Sequence, residues 1–550
     1  MFKRIPKLFS GILIGSALVL SFAYTPDYFE LSKQLDIFTS VFKEVSLYYV
    51  DDTQPGELAE DAINSMLSSL DPYTNYIPEE AVEDFRIRQT GDYAGVGASV
   101  GQHQDEIIVT SIFEGFAAAK AGLLVGDIIK TIDGEPVGDR SLASISEILK
   151  GAPGTEVELK VERIKDKSLL INIKREKVHR SSVPFAGRIE EDFGYISLSS
   201  FIQSASDEVR KAWEDMAIEK DLKGIVLDLR NNPGGLLVEA INLTNLFIPR
   251  GKTVVQTKGK LEEWQKTYET NNKPFNTEIP VVVLINSGSA SASEIVAGTL
   301  QDYDRALILG RRSFGKGLVQ ESRMLPYGAQ LKVTIAKYYT PSGRLIQAID
   351  YAERAEDGSV AKVPDSLRNA FKTDNGRVVY DGGGIDPDVE TESPKASELI
   401  VALFRDLQFF DFGTEYYFQH PEITNAADFR VNDETFEAFK KWLALRDFDY
   451  DTRTGRVINK LEKVADDEEF SEDLSQELAA LKKAYEERKA VELDRNKGVV
   501  KELLQEEIVA RYYFEGGRLE NALNHDTDII QALSYLKDQE AYKAILSPQK

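Results

Sequence analysis

The stretch Asn286-Ser287-Gly288-Ser289-Ala290-Ser291-Ala292-Ser293-Glu294 is the part of this 550-residue chain best suited to chemistry. It follows the apolar run Val281 to Ile285 and opens a helical pattern that runs to about Tyr303. A turn of this kind presents a hydroxyl beside backbone N–H groups that the first turn of a helix leaves unpaired, and such groups stabilise a developing oxyanion. Ser is also a preferred helix N-cap, and taken alone the segment reads first as a cap. A Ser hydroxyl needs a base to become a nucleophile. The chain has only four His, and the two nearest this stretch, His179 and His420, fall outside the expected strand-to-helix turns. A Lys held neutral by desolvation is the alternative base. Lys316 stands between two glycines in Ser313-Phe314-Gly315-Lys316-Gly317-Leu318-Val319-Gln320, just after the apolar run Ala306 to Leu309. Gln320 lies on the same short segment and is placed to hold the amine. Ser313-x-x-Lys316 is a rival pair of the kind that needs one helical turn between its members. Gly315 and Gly317 argue against a helix there.

These residues need a scaffold, and residues 179–347 supply an alternation of strands and helices. Strand patterns cover 194–201, 224–229 and 281–285, and helical patterns cover 206–220, the stretch up to Phe247, and the stretch up to Tyr303. Alternation of this sort indicates an α/β core with partly parallel strands. The turn Arg230-Asn231-Asn232-Pro233-Gly234-Gly235 joins the second strand to its helix. Residues 349–381 are polar and Gly-containing and are expected as an inserted surface loop. Residues 93–178 carry short strands and one helix, Leu142 to Leu149. Residues 25–92 read as helical, with Leu31, Leu35, Phe38, Phe42, Val45 and Tyr49 on one stripe and a helix end at Asp71-Pro72. Beyond Pro394 the chain is helical and charged. Phe436, Phe439 and Leu443 share one face there, Leu474, Leu478, Leu481 and Tyr485 a second, and Val500, Leu504 and Ile508 a third. Asp466, Asp467, Glu468, Glu469, Glu472 and Asp473 read as a solvated linker and helix start.

Composition narrows the function. The chain has a net charge of −25 and 29% charged residues, which argues against nucleic acid or an anionic lipid surface as the main partner. It has no Cys, which excludes thiol nucleophiles, disulfide frameworks and thiolate metal sites. No His-Glu-x-x-His pattern occurs, and no metal or other cofactor is expected. Lys3, Arg4 and Lys7 precede an uncharged apolar run from Leu8 to Ala23 that ends in Ser21-Phe22-Ala23. This is the pattern of an export signal, either cleaved after Ala23 or kept as a membrane anchor. The rest of the chain is then expected outside the cytoplasm, in the periplasm or cell envelope. It touches the inner membrane only through that segment.

Ser-Ala-Ser-Ala-Ser-Glu followed by Phe-Gly-Lys-Gly-x-Val-Gln resembles the active-site signature of the C-terminal processing peptidases, or tail-specific proteases. Lys316 lies 25 positions after Ser291 and Gln320 four beyond it, as the family pattern requires. The resemblance runs from about Leu31 to Val389 and includes Leu70-Asp71-Pro72-Tyr73-Thr74, Asp228-Leu229-Arg230-Asn231-Asn232-Pro233-Gly234-Gly235, Tyr339-Thr340-Pro341-Ser342-Gly343 and Gly384-Ile385-Asp386-Pro387-Asp388. It implies Ser291 as nucleophile, Lys316 as base, Gln320 as the residue that positions Lys316, and an oxyanion hole from the Ala292 amide and a Gly234 or Gly235 amide. The segment from Tyr93 to about Val178 resembles a PDZ domain, with Gly95-Val96-Gly97-Ala98 as its carboxylate-binding loop and Ala121 to Ile129 as its second recognisable stretch.

The implied fold is multidomain α+β. A signal or anchor (1–23) and N-terminal helices (24–92) precede the PDZ domain (93–178), which is inserted ahead of a crotonase/ClpP-like α/β peptidase core (179–394); a C-terminal helical region (395–550) follows. The implied function is an exported serine endopeptidase that reads substrate C-terminal tails through the PDZ domain and cuts with a Ser-Lys dyad. Its partners are proteins or peptides with accessible tails. The helical region departs from the simplest members of the family and is read as a substrate shelf, an adaptor surface or a homodimer contact. The 349–381 insertion is a second departure. The competing reading is a catalytically inactive PDZ scaffold or chaperone-like adaptor of the cell envelope.

Overall fold

The computed structural model of the chain describes residues 28–164, 167–218, 220–354, 360–392 and 397–547. The expected signal at 1–23 and the turning point at Pro394 lie outside the described residues. Residues up to Tyr76 form one unit and those from Ile77 a second. The first holds two helices, α1 (Tyr28–Tyr48) and α2 (Pro55–Ser68). Pro55 begins α2, where its missing N–H costs no hydrogen bond. That helix stops at Ser68, ahead of the Asp71-Pro72 break expected from sequence, and Asp71 Oδ1 then accepts the N–H groups of Tyr73 and Thr74 to set the following turn. The stripe on α1 is not a core face: Leu31, Leu35, Phe38 and Val45 are all exposed.

The second unit begins with α3 (Val82–Thr90), which ends at Gly91 in the left-handed region (φ 72°). A small β unit follows. Strands β1 (Asp92–Gly95) and, at its far end, β7 (Glu176–His179) pair antiparallel from Asp92↔His179 to Gly95↔Glu176, closing the unit on itself. Between them β2 (Ala98–His103), β3 (Glu106–Ile112), β4 (Ile128–Ile132), α4 (Leu142–Leu149), β5 (Glu156–Arg163) and β6 (Lys167–Lys174) form a sheet of order β2-β3-β4-β5-β6 with α4 against β2. In β5 the buried Val157, Leu159 and Val161 alternate with charged residues, which fixes one face inward. They pack with Ile129, Ile145, Leu149 and Ile173. β2 is the edge strand, with β3 on one side only.

The core contains β8 (Phe185–Ile189), β9 (Phe193–Ser197), α5 (Ala205–Ala217), β10 (Gly224–Asp228), α6 (Leu237–Phe247), β11 (Thr253–Gly259), β12 (Lys266–Glu269), β13 (Val281–Ile285), α7 (Ala292–Asp302), β14 (Leu307–Gly310), β15 (Leu318–Met324) and β16 (Gln330–Tyr339). The main sheet has the order β8-β9-β10-β13-β14 and is completed by the short strand Val389–Glu390. Apart from the antiparallel β8–β9 pair it is parallel. A second sheet runs β15-β16-β11-β12, all antiparallel. The central parallel strands β10, β13 and β14 are apolar up to Asp228 at the end of β10, because both faces are covered. Ile225, Leu227, Val281, Val283 and Ile285 pack on one face with Trp213, Leu243, Phe247, Val296 and Leu300 of α5, α6 and α7. Val226, Val282, Leu284, Leu307 and Leu309 point to the other face.

That other face is covered from the C-terminal helical region. Helices α8 (Glu398–Arg405), α9 (Gln408–Gln419), α10 (Asp433–Ala444) and, after α11 (Arg453–Asp467) and α12 (Ser475–Ala490), α13 (Lys497–Ala522) follow; α8, α9, α10 and α13 build a separate apolar cluster around Phe409, Phe412, Phe436, Phe439, Val500, Leu504 and Ile508. The last two, α14 (Thr527–Lys537) and α15 (Gln539–Ile545), instead lay Ile529, Ala532, Leu533, Leu536 and Tyr542 on the open face of the main sheet. They are a layer of the core. The expected face of Leu474, Leu478, Leu481 and Tyr485 is not a core face either, since Leu474 and Leu481 are exposed.

The 349–381 insertion is likewise not an irregular loop. It holds two hairpins, Ile349–Arg354 with Val360–Lys362 and Ala370–Lys372 with Val378–Tyr380. It is fastened by ions rather than apolar burial: Arg377 pairs at 2.5 Å with both Asp304 and Asp388.

Candidate active site

The carboxyl ends of adjacent parallel strands are where an α/β sheet leaves a crevice for ligands. Here β10, β13 and β14 end side by side, with Asp228 opposite Leu284 and Ile285 opposite Gly310. Three turns leave these ends: 229–236, 286–291 and 311–317.

The first two turns are stitched together by short polar side chains. Ser289 Oγ donates to Leu229 O (2.7 Å), Ser293 Oγ donates to Asn232 O (2.9 Å), and Ala290 N–H donates to the same carbonyl (3.0 Å). Asn286 Oδ1 accepts from Asn231 N–H and Asn286 Nδ2 donates to Asn231 Oδ1, both at 2.9 Å. The serines flanking Ser291 are therefore consumed in holding the turn. Ser291 differs from them. It is half-buried, precedes the first residue of α7, and has φ 56° and ψ −112°, a strained conformation for a residue with a side chain. Ala292 N–H opens the helix, so the helix itself offers it no acceptor.

The two glycines of the neighbouring turn are not equivalent. Gly234 N–H is already donated to Asn232 Oδ1 (2.9 Å), whereas Gly235 N–H meets no backbone or side-chain acceptor among the described residues. Both positions exclude a side chain. A Cβ on Gly234 would fall 2.6 Å from Ala290 O and 2.8 Å from Ala292 N, and one on Gly235 2.3 Å from Phe201 O.

A residue the sequence reading did not single out ties the third turn to Ser291. Glu294, fully buried in the first turn of α7, accepts Ser291 N–H (2.8 Å) and Lys316 N–H (2.9 Å) on Oε2, and Ser313 Oγ–H (2.5 Å) and Gly315 N–H (2.6 Å) on Oε1. Burial pushes its carboxyl up to about 7 even against the opposing pull of these hydrogen bonds. The Ser-x-x-Glu spacing of a capping box was the available signal. From the other side the Tyr338 hydroxyl donates to Lys316 O (2.6 Å) and lies 3.1 Å from Ser291 O. Tyr338 sits on a strand of the second sheet, and no local pattern marked it.

Ser291, Ala292, Gly234, Gly235, Lys316 and Gln320 all line one cleft of about 430 Å³. Its walls include Phe85, Leu236, Leu237, Ile295 and Leu318, with Arg88 and Lys332 also lining it. Gln320, on β15, donates its amide to Thr334 Oγ1 (3.2 Å) on β16. Ser313 is buried and held by Glu294 and by Ile385 N–H (2.7 Å), so it is spent on structure rather than facing the cleft. Neither His179, which pairs with Asp92 and Glu208, nor His420, which stacks on Tyr416, lines the cleft. No group of His, Asp and Glu suited to a metal ion lies among the described residues.

The loop Gly95-Val96-Gly97-Ala98 joins β1 to the edge strand β2. Val96 O accepts Ala118 N–H (2.7 Å) and Gly97 O accepts Phe113 N–H (2.9 Å). Gly97 has φ 81°, and a Cβ there would come 2.5 Å from Phe116 Cβ. The Gly97 amide hydrogen-bonds the Tyr93 phenol. Burial raises the nearby Tyr93 phenol to about 12, so it remains neutral there.

A family model described as peptidase family S41 matches residues 192–353, a PDZ-domain model matches 108–163, and one described as the C-terminal helical domain of a probable PDZ-protease matches 399–536. The carboxy-terminal-processing protease of Bartonella bacilliformis is 38% identical over 355 residues, which cover 64% of this chain and 81% of that protein. A probable CtpA-like serine protease of Staphylococcus aureus is 36% identical over 352 residues, covering 62% of this chain and 70% of that one. Among solved structures, the photosystem II D1 C-terminal processing protease is 26% identical, covers 64% of this chain and 92% of its own, and aligns with a TM-score of 0.34.

Proposed function

The chain belongs to the carboxy-terminal-processing proteases of peptidase family S41, and from that premise we propose that it is an exported endopeptidase whose reacting pair is Ser291 and Lys316. The Glu294 carboxylate carries this reading, because it holds the backbone of both residues at once and so fixes their segments on one cleft. Lys316, acting as the free amine, takes the Ser291 Oγ proton as Oγ attacks the substrate carbonyl carbon. The carbonyl oxygen gains the negative charge and is held by the Ala292 N–H and a glycine N–H. The free donor is Gly235, since Gly234 is engaged with Asn232. When the tetrahedral adduct collapses, Lys316 returns the proton to the leaving amine and an acyl-Ser291 ester remains. Water hydrolyses the ester by the same steps. Gln320 limits the rotamers open to the Lys316 amine.

The substrate tail enters as an added strand on the free edge of β2, its terminal carboxylate against the N–H groups of Gly95 to Ala98. Tethering there raises the local concentration of the chain to be cut. The segment 1–23 directs the protein to the periplasm or cell envelope.

The test is hydrolysis of casein, and of one apolar-tailed peptide made with a free and with an amidated C-terminus. Wild type is expected to cut all three, with the amidated tail bound more weakly. Ser291→Ala and Lys316→Ala are expected to lose about 10⁴-fold or more in kcat, as removal of a nucleophile or its base does. Undiminished cleavage by Ser291→Ala would falsify the assignment. Tail binding without turnover by wild type would favour the scaffold reading.

A further inference from the structure

Two arginines stand at matching places in two of the turns that lead to the cleft. Arg230 lies five residues before Gly235, and Arg311 lies five residues before Lys316. Both reach one carboxylate oxygen, Asp528 Oδ2, which is 3.0 Å from Arg230 Nη1 and 3.3 Å from Arg311 Nη2. Asp526 Oδ2 adds a contact of 2.8 Å to the same Arg230 nitrogen. These acids belong to the first turn of α14. Asp526 caps that helix, its Oδ1 accepting the N–H groups of Asp528 and Ile529. The Asp528 carboxylate is thus not needed for the cap and is spent on the arginines. The group continues inward: Arg230 clasps Asp228 at 2.6–3.0 Å, and Asp228 Oδ2 accepts the Tyr195 hydroxyl at 2.8 Å. Arg311 Nη1 meanwhile donates to Thr391 Oγ1 and Glu392 O, both at 3.2 Å. Asp528 is 3% exposed, so its charge acts with little screening.

We propose that Asp528 is a positioning residue for peptide-bond hydrolysis. Through Arg230 and Arg311 it sets the distance between the turn that supplies the Gly235 amide and the turn that carries Lys316. The proposal rests on Ser291 and Lys316 being the reacting pair. It gives the end of the C-terminal helical region a part in the chemistry as well as in covering the sheet. Planar guanidinium forks are directional, so one shared carboxylate orients both turns together. An isosteric amide fills the same space without the charge that draws Arg311 in. Misplacement of a reacting group by about 1 Å costs on the order of 10²-fold in rate.

The experiment compares wild type, Ser291→Ala and Asp528→Asn full-length protein on a short fluorogenic peptide. Asp528→Asn is expected to lose about tenfold or more in kcat, with KM within about twofold and little change in melting temperature. Arg311→Gln is expected to show a similar loss, and the double variant no further one, because the two groups act as a unit. An unchanged kcat, an additive double variant, or a loss that vanishes on cooling in step with a lowered melting temperature overturns the proposal. If Asp528→Asn does not fold, Arg311→Lys against Arg311→Gln decides it. Partial recovery with Lys supports the role, and equal activity overturns it. No turnover by wild type, or turnover kept by Ser291→Ala, overturns the reacting pair itself and the positioning role with it.

Discussion

Glu294 offers two oxygens to four donors, and Glu294→Gln replaces one of those oxygens with an amide that can only donate. The amide nitrogen at the Oε2 position releases Ser291 and Lys316 together, and at the Oε1 position it releases Ser313 and Gly315, which hold the Lys316 turn. We expect about 100-fold lower kcat from the displaced reacting group, measured on a short peptide. The pH dependence separates this from a general loosening. The carboxyl sits at about 7 in the fold against an ordinary value of 4.5, with burial the main cause. A raised carboxyl favours the protonated form, so its contribution to stability is complete below about 4.5 and is lost as pH rises through about 7. Protonation turns an acceptor into a donor, so the same titration removes activity on the acid side. In Glu294→Gln the acid limb near 7 should vanish and the stability difference between pH 5 and pH 8 should shrink, read by urea melts at the two pH values. A limb that stays in place would assign it to another group. The Ser291, Lys316 and Gln320 spacing is legible in sequence because the signature is local. The choice between Gly234 and Gly235 is not, because it depends on where the Asn232 side chain turns. Tyr338 escapes notice because it approaches from another sheet.

At the scale of elements, apolar patterning identifies β10, β13 and β14, and Ser141, whose side chain caps α4, marks the start of that helix. The same patterning fails for the 349–381 insertion, whose hairpins are fixed by charge. Arg377, with 8% of its side chain exposed, faces Asp304 and Asp388, exposed by 3% and 4%. Removing one member of such a group leaves buried charge uncompensated. Arg377→Met should therefore cost about 3–5 kcal/mol, seen as a lower denaturation midpoint, while the isolated value of the pairs could be far smaller. A second ionic joint links β7 to α5. His179 meets Asp92 through Nδ1 (2.6 Å) and Glu208 through Nε2 (3.1 Å), and the hydrogen bond with Asp92 is the chief cause of its raised pKa. The fold favours the charged imidazole, so the stabilisation is complete below 6.5 and is lost as pH rises through the raised folded value. Hydrogen exchange at the Asp92↔His179 end of the β1–β7 pair should accelerate as pH rises through that value, after correction for intrinsic exchange. In His179→Gln that excess acceleration should be absent.

Across the whole molecule the C-terminal helices do two jobs. Helices α14 and α15 close the main sheet, while α9 and α13 pack against the small β unit. His103 Nε2 lies 3.1 Å from Asp411 Oδ2 at the end of β2, and a Cβ on Gly126 would fall 2.4 Å from Thr414 Cγ2. Phe514 packs against the apolar core of the unit. It does so from a break in α13, with φ 54° and ψ −162°. Such a conformation costs a bulky residue about 1–3 kcal/mol and persists only where its surroundings impose it. The contact with the β unit is the evident source of that imposition. Net charge and amphipathic faces give no hint of this arrangement, because the strained turn exists only once the two bodies meet. These contacts tie the β unit to α9 and α13, so the tail-binding edge proposed for β2 has a fixed neighbour. Phe514→Ala removes the contact and keeps the strain. Hydrogen exchange across β2 and protease cutting between residues 92 and 179 should rise, and KM for a long tailed substrate should change. Hydrolysis of a short peptide should remain within about twofold, since Phe514 does not line the cleft. Phe514→Gly, which removes the strain together with the contact, should recover thermal stability but not protection of β2. Equal protection of β2 in wild type and both variants would show that the remaining contacts, His103 with Asp411 and Gly126 with Thr414, suffice to fix the unit.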